Sequence, residues 1–473
     1  MNISMLLEMV ADSAGDRVAV GSLTYAELLE RATAGAKLAG DGFIAVDVNS
    51  EAVPIGLFSA ALAGVPYIPV NYRLADEQLR AIVERAAPGT AVVDPDVVGR
   101  LAGISGLQVI DRPSFLDSIA GGEERGVAPS DPDAIAVLLF TSGTTGAPKA
   151  AVLRHSHLSS YVLGTVEFLG SSPDDAALVS VPPYHIAGIA AVLSSVYGGR
   201  RIVYLPQFTP EAWVDAARRE AITHAMVVPT MLGRILDHLE SSGERLPALR
   251  HLSYGGGRMP VSVVERALTL LPDTGFVNAY GLTETSSTVA ILTPEDHREA
   301  MASDDPAVRA RLGSVGRPLP TIELEIRHGE IWVRGEQVSG EYEGIGTTVR
   351  DDGWFPTKDG GRLDDGGYLF VDGRLDDVIV RGAENLSPGE IEDALVEHPA
   401  VAEAAVIGAA DDEWGEVPVA FVVTSADVTE SELQTWVRDW LRSSRVPARI
   451  EFLDELPYSE TGKLLRRVLK SEL

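Results

Sequence analysis

Strand-like and helical stretches alternate through the first third of this chain, and that alternation narrows its folds more than any other feature. Residues 43–48 read as a strand, 54–63 as a helix, 67–70 as a strand and 76–86 as a helix. Apolar strands of this kind are buried only when helices cover their sheet, so the repeat implies a layered α/β body. Thr24-Tyr25-Ala26-Glu27 is a capping box, opening a helix predicted to run to about Leu38. The pattern resumes between about residues 156 and 289, with strands expected near 177–181, 201–205, 225–228 and 276–279. Around residues 323–342 polar and apolar positions alternate (Ile322, Leu324, Ile326, Ile331, Val333), as antiparallel strands and hairpins require.

After Gly373-Arg374-Leu375-Asp376-Asp377 the pattern changes. Strands are expected over 401–407 and 417–423, followed by a helix near 431–443 that puts Leu433, Trp436, Val437, Trp440 and Leu441 on one face. A tail with its own apolar set reads as a separate unit, so the expected division is residues 1–375 and 376–473. With 473 residues, 45% of them hydrophobic and 23% charged, the chain has ample material for soluble, globular cores.

A formal charge of −30 argues against a general nucleic-acid or anionic-membrane binder, which needs basic patches. The same charge means that polyanionic ligands must meet deliberately placed cations. The absence of cysteine excludes disulfides, a thiolate nucleophile and cysteine-ligated metals. Residues 1–10 are apolar but carry Glu8 and lack a basic lead, so no signal peptide is expected. Pro54, Pro66 and Pro69 interrupt the apolar run 53–70, which reads as core rather than a membrane span. A cytoplasmic protein is expected, monomer or homodimer.

Chemistry concentrates in loops. The apolar run Ala134 to Phe140 ends in Thr141-Ser142-Gly143-Thr144-Thr145-Gly146-Ala147-Pro148-Lys149. Small residues let backbone N–H groups approach an anion, hydroxyls add donors, and Lys149 adds charge; this is the chemistry of a phosphate-gripping loop. It is not the Walker A loop, because Lys149 follows Pro148 and precedes Ala150. Ser253-Tyr254-Gly255-Gly256-Gly257-Arg258 offers main chain against which a flat ring or a phosphate can lie. Tyr280-Gly281-Leu282-Thr283-Glu284-Thr285 offers an aromatic face, a hydroxyl and a carboxylate of the kind that suits magnesium. Pro182-Pro183-Tyr184-His185-Ile186-Ala187-Gly188 sets a histidine between a rigid turn and an apolar run. Thr357-Lys358-Asp359 reads as a loop whose carboxylate can accept both hydroxyls of a ribose, and Pro457 to Lys463 presents a lysine on a loop. Taken singly, each has a plainer alternative: a Ser/Thr/Gly turn, a flexible glycine turn, a solvated acid, a satisfied core histidine, a turn-forming Asp, an exposed lysine.

Together and in this order, the six motifs resemble the adenylate-forming superfamily of acyl-CoA synthetases, peptide-synthetase adenylation domains and firefly-type luciferases. The resemblance covers nearly the whole chain. It implies a large N-terminal domain of layered α/β subdomains plus a β-barrel-like subdomain, with a small mobile α+β domain at the C-terminus. By resemblance, Thr141 to Lys149 embraces the ATP triphosphate, Gly255, Gly256, Gly257 and Tyr280 hold adenine, and Gly281 belongs to the same nucleotide site. Thr283 touches phosphate, Glu284 holds Mg²⁺, and Asp359 and Arg374 bind the ribose. His185 lies beside the acyl carboxylate, Asp376 is the hinge, Arg381 and Gly382 face the thiol of coenzyme A, and Lys463 bridges carboxylate and α-phosphate. The acyl pocket includes Ala187, Gly188, Val228, Met231 and Ser286, small and mostly apolar, as for a neutral hydrophobic acid.

The resemblance therefore implies ATP-dependent formation of acyl-AMP, with release of pyrophosphate, and transfer to coenzyme A. A ligase loading an acyl carrier protein and a relative lacking one half-reaction are the alternatives. No acidic residue in 184–196 awaits an α-ammonium group, against an amino-acid substrate, and no basic one awaits a second carboxylate. One departure stands out: the family usually has glycine where this chain has Lys358.

Overall fold

The computed structural model describes residues 1–123, 131–141, 149–382, 384–458 and 464–473. Its two large sheets follow from the alternation. In one, strands run in the spatial order Gly346–Thr347, Glu341–Tyr342, Lys149–Arg154, Ile135–Thr141, Tyr67–Pro69, Phe43–Val46, Gly89–Val93 and Leu107–Asp111. In the other the order is Arg317–Pro318, Ser287–Leu292, Gly275–Leu282, His251–Gly255, His224–Val227, Ala176–Val179, Arg201–Tyr204, Val18–Val20 and Leu23–Thr24. The central strands of both pair in parallel, and each sheet turns antiparallel towards the end that carries the site.

Side chains alternate across a strand, so each sheet buries two faces. Phe43, Tyr67, Val137 and Leu139 from one sheet meet Val20, Val179 and Ile202 from the other across a shared core. Helices Ser4–Ala14, Tyr25–Ala36, Ala52–Ala63 and Ile186–Gly198 fill the space between them. On the outer face of the first sheet, Ile44, Val46 and Leu138 pack against Leu79 and Val83. On the outer face of the second, Leu178, Val227, Leu252 and Phe276 pack against Trp213, Leu232, Ile235 and Val264. The result is helices, sheet, helices, sheet, helices.

The predicted elements appear nearly where expected. The helix Asp76–Ala86 coincides with its prediction, and Thr24 and Glu27 exchange both capping-box hydrogen bonds, at 3.2 and 2.8 Å. The apolar run 53–70 forms the buried helix Ala52–Ala63 and the strand Tyr67–Pro69. No helix among the described residues is long and apolar enough to cross a membrane. A four-stranded antiparallel sheet, Glu323–Arg327, Glu330–Arg334, Phe355–Leu363 and Leu369–Arg374, stands where the barrel-like subdomain is expected. From Ile379 onward a further five-stranded sheet buries its own apolar clusters, around Ile391, Val406 and Leu433 on one face and Ile407 and Phe421 on the other.

Two expectations are corrected. Thr357-Lys358-Asp359 lies inside the strand Phe355–Leu363 and not in a loop, because hydroxyl and carboxylate are satisfied there by neighbouring strands. The helix near the C-terminus spans Glu430–Trp440 and buries only Leu433 and Val437; Leu441 is its cap, and Trp440 is 58% exposed. Its indoles lie 5.5 Å apart, tilted by 31°, and Trp436 donates to the Ala394 carbonyl at 2.7 Å.

Candidate functional site

The site gathers at the C-terminal ends of the second sheet's parallel strands, where that sheet meets the antiparallel margin of the first. Thr141 ends one strand and Lys149 begins the next, and they are paired partners, with the Thr141 hydroxyl donating to the Lys149 carbonyl at 3.3 Å. Ser142, Gly143, Thr144, Thr145 and Gly146 between them lie outside the described residues, as does Lys463. Lys149 Nζ stands 5.7 Å from the centroid of the Tyr342 ring. The Tyr342 phenol in turn donates to Glu284 Oε1.

Glu284 sits in a short 3₁₀ turn, Thr283–Thr285, directly after the strand carrying Tyr280. The backbone of that turn is gripped from the far side. Ser339 and Gly340 N–H groups donate to the Glu284 carbonyl at 2.8 and 3.1 Å, and Gln337 donates to the Thr285 and Thr288 carbonyls at 3.0 and 2.7 Å. The Ser339 hydroxyl donates to the Val152 carbonyl at 2.7 Å, tying the turn to the strand that begins at Lys149.

Asp359 and Arg374 are cross-strand partners, 3.0 Å apart at Oδ1 and the guanidinium. The other Asp359 oxygen accepts from the Tyr280 phenol at 2.7 Å. Burial, reinforced by the Asp359 charge and hydrogen bond, holds the Tyr280 phenol well above its ordinary value, so it stays a donor. Burial alone would lower Arg374, but Asp359 and then Glu284 raise it overall, so the guanidinium remains charged between two carboxylates. Tyr342 thus links Lys149 to Glu284, Asp359 links Tyr280 to Arg374, and the Glu284 and Arg374 charges join the two groups electrostatically. Glu284 offers a hard oxygen donor, and Lys149 shares its Tyr342 neighbour; one carboxylate beside a cation suits magnesium shared with phosphates rather than caged by protein.

The glycines divide by cause. A Cβ on Gly255 would overlap the Ala279 carbonyl oxygen, and one on Gly281 would overlap that of Ser287, so close strand pairing already requires both glycines. Gly256, at φ 80°, needs the left-handed region, whereas Gly257 has its nearest neighbour, Pro229 Cγ, at 3.6 Å. His185 caps the helix Ile186–Gly198, its Nδ1 accepting the Ala187 N–H at 3.2 Å; in the neutral ring this leaves the proton on Nε2. Ala187, Gly188, Val228 and Met231 are buried around it and in the neighbouring core. Ser286 is fully buried at φ 53°, and its hydroxyl finds no partner among the described residues.

Lys358 has φ 62°, which accounts for the glycine usual at this position: the strand turns left-handed there, and Lys358 N–H reaches Glu330 Oε1 at 3.0 Å. Further along, Asp376 lies in the 3₁₀ turn Leu375–Asp377 that connects to the last sheet. Arg381 donates to the Ser444 carbonyl at 2.6 Å and lies over Trp414, and Gly382 (φ 60°) donates to the Trp414 carbonyl at 2.6 Å. Two side chains gain their partners only from the fold. Tyr342 belongs to no motif, and Arg258, beside the glycine turn, pairs with Asp393 in the C-terminal unit.

The AMP-binding enzyme family model matches residues 7–343, and that of the AMP-binding enzyme C-terminal domain matches residues 390–463. A 2-succinylbenzoate–CoA ligase of Bacillus cereus (strain AH820) is 32% identical over 430 residues, covering 88% of this chain and 84% of the relative. The solved o-succinylbenzoate coenzyme A synthetase from Bacillus subtilis, in complex with ATP and magnesium ion, superposes with a TM-score of 0.85 at 29% identity, over 98% of this chain and 99% of that one. An amide bond synthetase from Marinactinospora thermotolerans gives 0.86 at 28% identity, over 99% of each chain.

Proposed function

The chain belongs to the AMP-binding enzyme family, and on that premise we propose that it joins a hydrophobic carboxylic acid to coenzyme A in two steps. It is an AMP-forming acid–thiol ligase that uses ATP and Mg²⁺. The acid's carboxylate attacks the α-phosphorus of ATP, the bond to the β-phosphate breaks, and acyl-AMP and pyrophosphate result. The thiol then attacks the acyl carbon, and AMP departs.

The observation that carries this reading is the convergence of Lys149, Glu284, Arg374 and Asp359 on one cluster in a chain of charge −30. The first step brings an anion to a polyanion, so it depends on neutralisation and alignment. Lys149 with its hydroxyl-rich loop grips the triphosphate, and Thr283 adds a donor. Glu284 would hold Mg²⁺, which would supply positive charge to offset that of the phosphates. The Asp359–Arg374 pair receives the ribose hydroxyls, and adenine lies between the Gly255–Gly257 turn and Tyr280. His185 orients the acyl carboxylate through its Nε2 proton. Lys463 bridges that carboxylate and the α-phosphate. No enzyme-bound covalent intermediate is required, which agrees with a chain that has no cysteine.

Residues 376–473 form the mobile unit in this reading, turning about Asp376 so that Lys463 serves the first step and Arg381 and Gly382 the second. The buried, uncharged residues Ala187, Gly188, Val228 and Met231 support a neutral, hydrophobic acid. The reaction belongs in the cytoplasm, where ATP and coenzyme A are at hand.

The test is a ligase assay over a panel of carboxylic acids, 2-succinylbenzoate included, following AMP, pyrophosphate and CoA ester separately. All three products from a neutral acid are expected. A marked preference for a dicarboxylate overturns the acid assignment alone. Pyrophosphate without CoA ester points to a carrier-protein acceptor, and no product from any acid refutes the ligase reading.

A further inference from the structure

Tyr342 stands between the two groups on which phosphate and metal binding depend, although no motif marks it. It lies in the two-residue strand Glu341–Tyr342, paired with the Lys149–Arg154 strand at Ala151. Side chains alternate there, and both neighbours are anchored. Glu341 takes a bidentate ion pair from Arg154, at 2.8 and 3.0 Å, while Glu343 pairs with Arg85 at 2.9 Å and its N–H donates to the Ala150 carbonyl at 2.9 Å. The preceding Ser339 and Gly340 hold the backbone of the Glu284 turn. This bracket leaves the Tyr342 ring little freedom. Its face receives Lys149 and its hydroxyl donates to Glu284 Oε1.

We propose that Tyr342 is a positioning residue for metal and nucleotide together: its hydroxyl holds one Glu284 oxygen so that the carboxylate presents the other to a divalent cation, and its ring carries Lys149 alongside. This rests on Glu284 as the metal-binding carboxylate. A donor behind a metal-binding carboxylate fixes its orientation, and loss of such a partner typically weakens metal affinity about 10- to 100-fold. The cation–π contact is the smaller contribution.

The test is binding, not turnover: Mn²⁺ titration by electron paramagnetic resonance with a non-hydrolysable ATP analogue, on the full chain. Tyr342→Phe keeps the ring and removes the donor. It should raise the Mn²⁺ Kd about tenfold, while leaving the metal-free affinity for the analogue unchanged. Tyr342→Leu removes both contacts and should also weaken metal-free analogue binding, about two- to fivefold. An unfolded fraction would lower the stoichiometry without moving the Kd, so poor folding cannot imitate either result. Parental Mn²⁺ affinity in Tyr342→Phe, with weakened affinity in Glu284→Gln, overturns the role of Tyr342 and spares that of Glu284. Parental affinity in Glu284→Gln as well removes Glu284 from the metal site, and this proposal with it.

Discussion

Alanine at Gly255, Gly256 and Gly257 in turn separates three distinct reasons for a glycine in one loop. At Gly255 the new methyl would overlap the carbonyl oxygen of Ala279 on the adjacent strand, a backbone atom that moves only if the strands part. Overpacking of this kind costs about 1–3 kcal/mol, and a rigid backbone neighbour places Gly255 at the upper end. At Gly256 there is room, since Val228 Cγ1 is 3.8 Å away, but φ is 80°. The cost there is about 1–2 kcal/mol of left-handed strain. Gly257 has neither difficulty, so Gly257→Ala should leave stability within about 0.5 kcal/mol. If adenine lies flat on this turn, however, the methyl intrudes on the ring as it would on any packed neighbour. An intrusion worth at least about 1.4 kcal/mol weakens ATP binding at least tenfold. Thermal melts of the three variants, with calorimetric titration of ATP into each, give both quantities. A Gly257→Ala protein that melts like the parent and binds ATP equally well would show that the nucleotide does not rest on this turn.

Four further outcomes are expected. Lys463→Ala should cut pyrophosphate release about 10²–10³-fold yet form thioester from supplied acyl-AMP; parental pyrophosphate release would deny Lys463 its bridging role. Gly382→Leu meets a left-handed backbone and Trp414 at 3.4 Å from a Cβ, so it should spare acyl-AMP formation but block CoA-ester formation, and an unchanged ester yield would remove Gly382 from the second step. Arg258→Ala breaks an ion pair between groups 44% and 52% exposed, worth about 0–1 kcal/mol; it should change the ratio of the two half-reaction rates by no more than about fivefold, and a ratio that never moves would exclude a latch on the C-terminal unit. Lys358→Gly relieves about 1 kcal/mol of left-handed strain and should raise the melting midpoint, whereas a lowered midpoint would contradict the strain argument.

The layered architecture could be read in advance because periodicity and capping are local. The alternation at residues 43–48, the helix at 76–86 and the Thr24–Glu27 box each act within a few residues, and their elements appear almost where expected. The motif residues could also be named from composition and order: glycines, hydroxyls and a lysine at a strand end state their chemistry without reference to neighbours. Placement inside a strand or a loop was harder. Thr357 to Asp359 reads as a loop before Gly360-Gly361, yet cross-strand partners at Ile331 and Arg374 hold the segment within a strand, around a left-handed Lys358.

The chain's local chemistry was sufficient for the layers and the small C-terminal unit. Which glycine serves a neighbouring strand and which leaves space for a ligand depended on the Ala279 carbonyl. Tyr342 gained its place in the site only from Glu284, 58 residues away, and Arg258 its partner only from Asp393, 135 residues away. Periodicity reports which face of an element is buried. It carries no information about which distant segment arrives there, and a hydrogen bond or ion pair exists only once that arrival has fixed both partners.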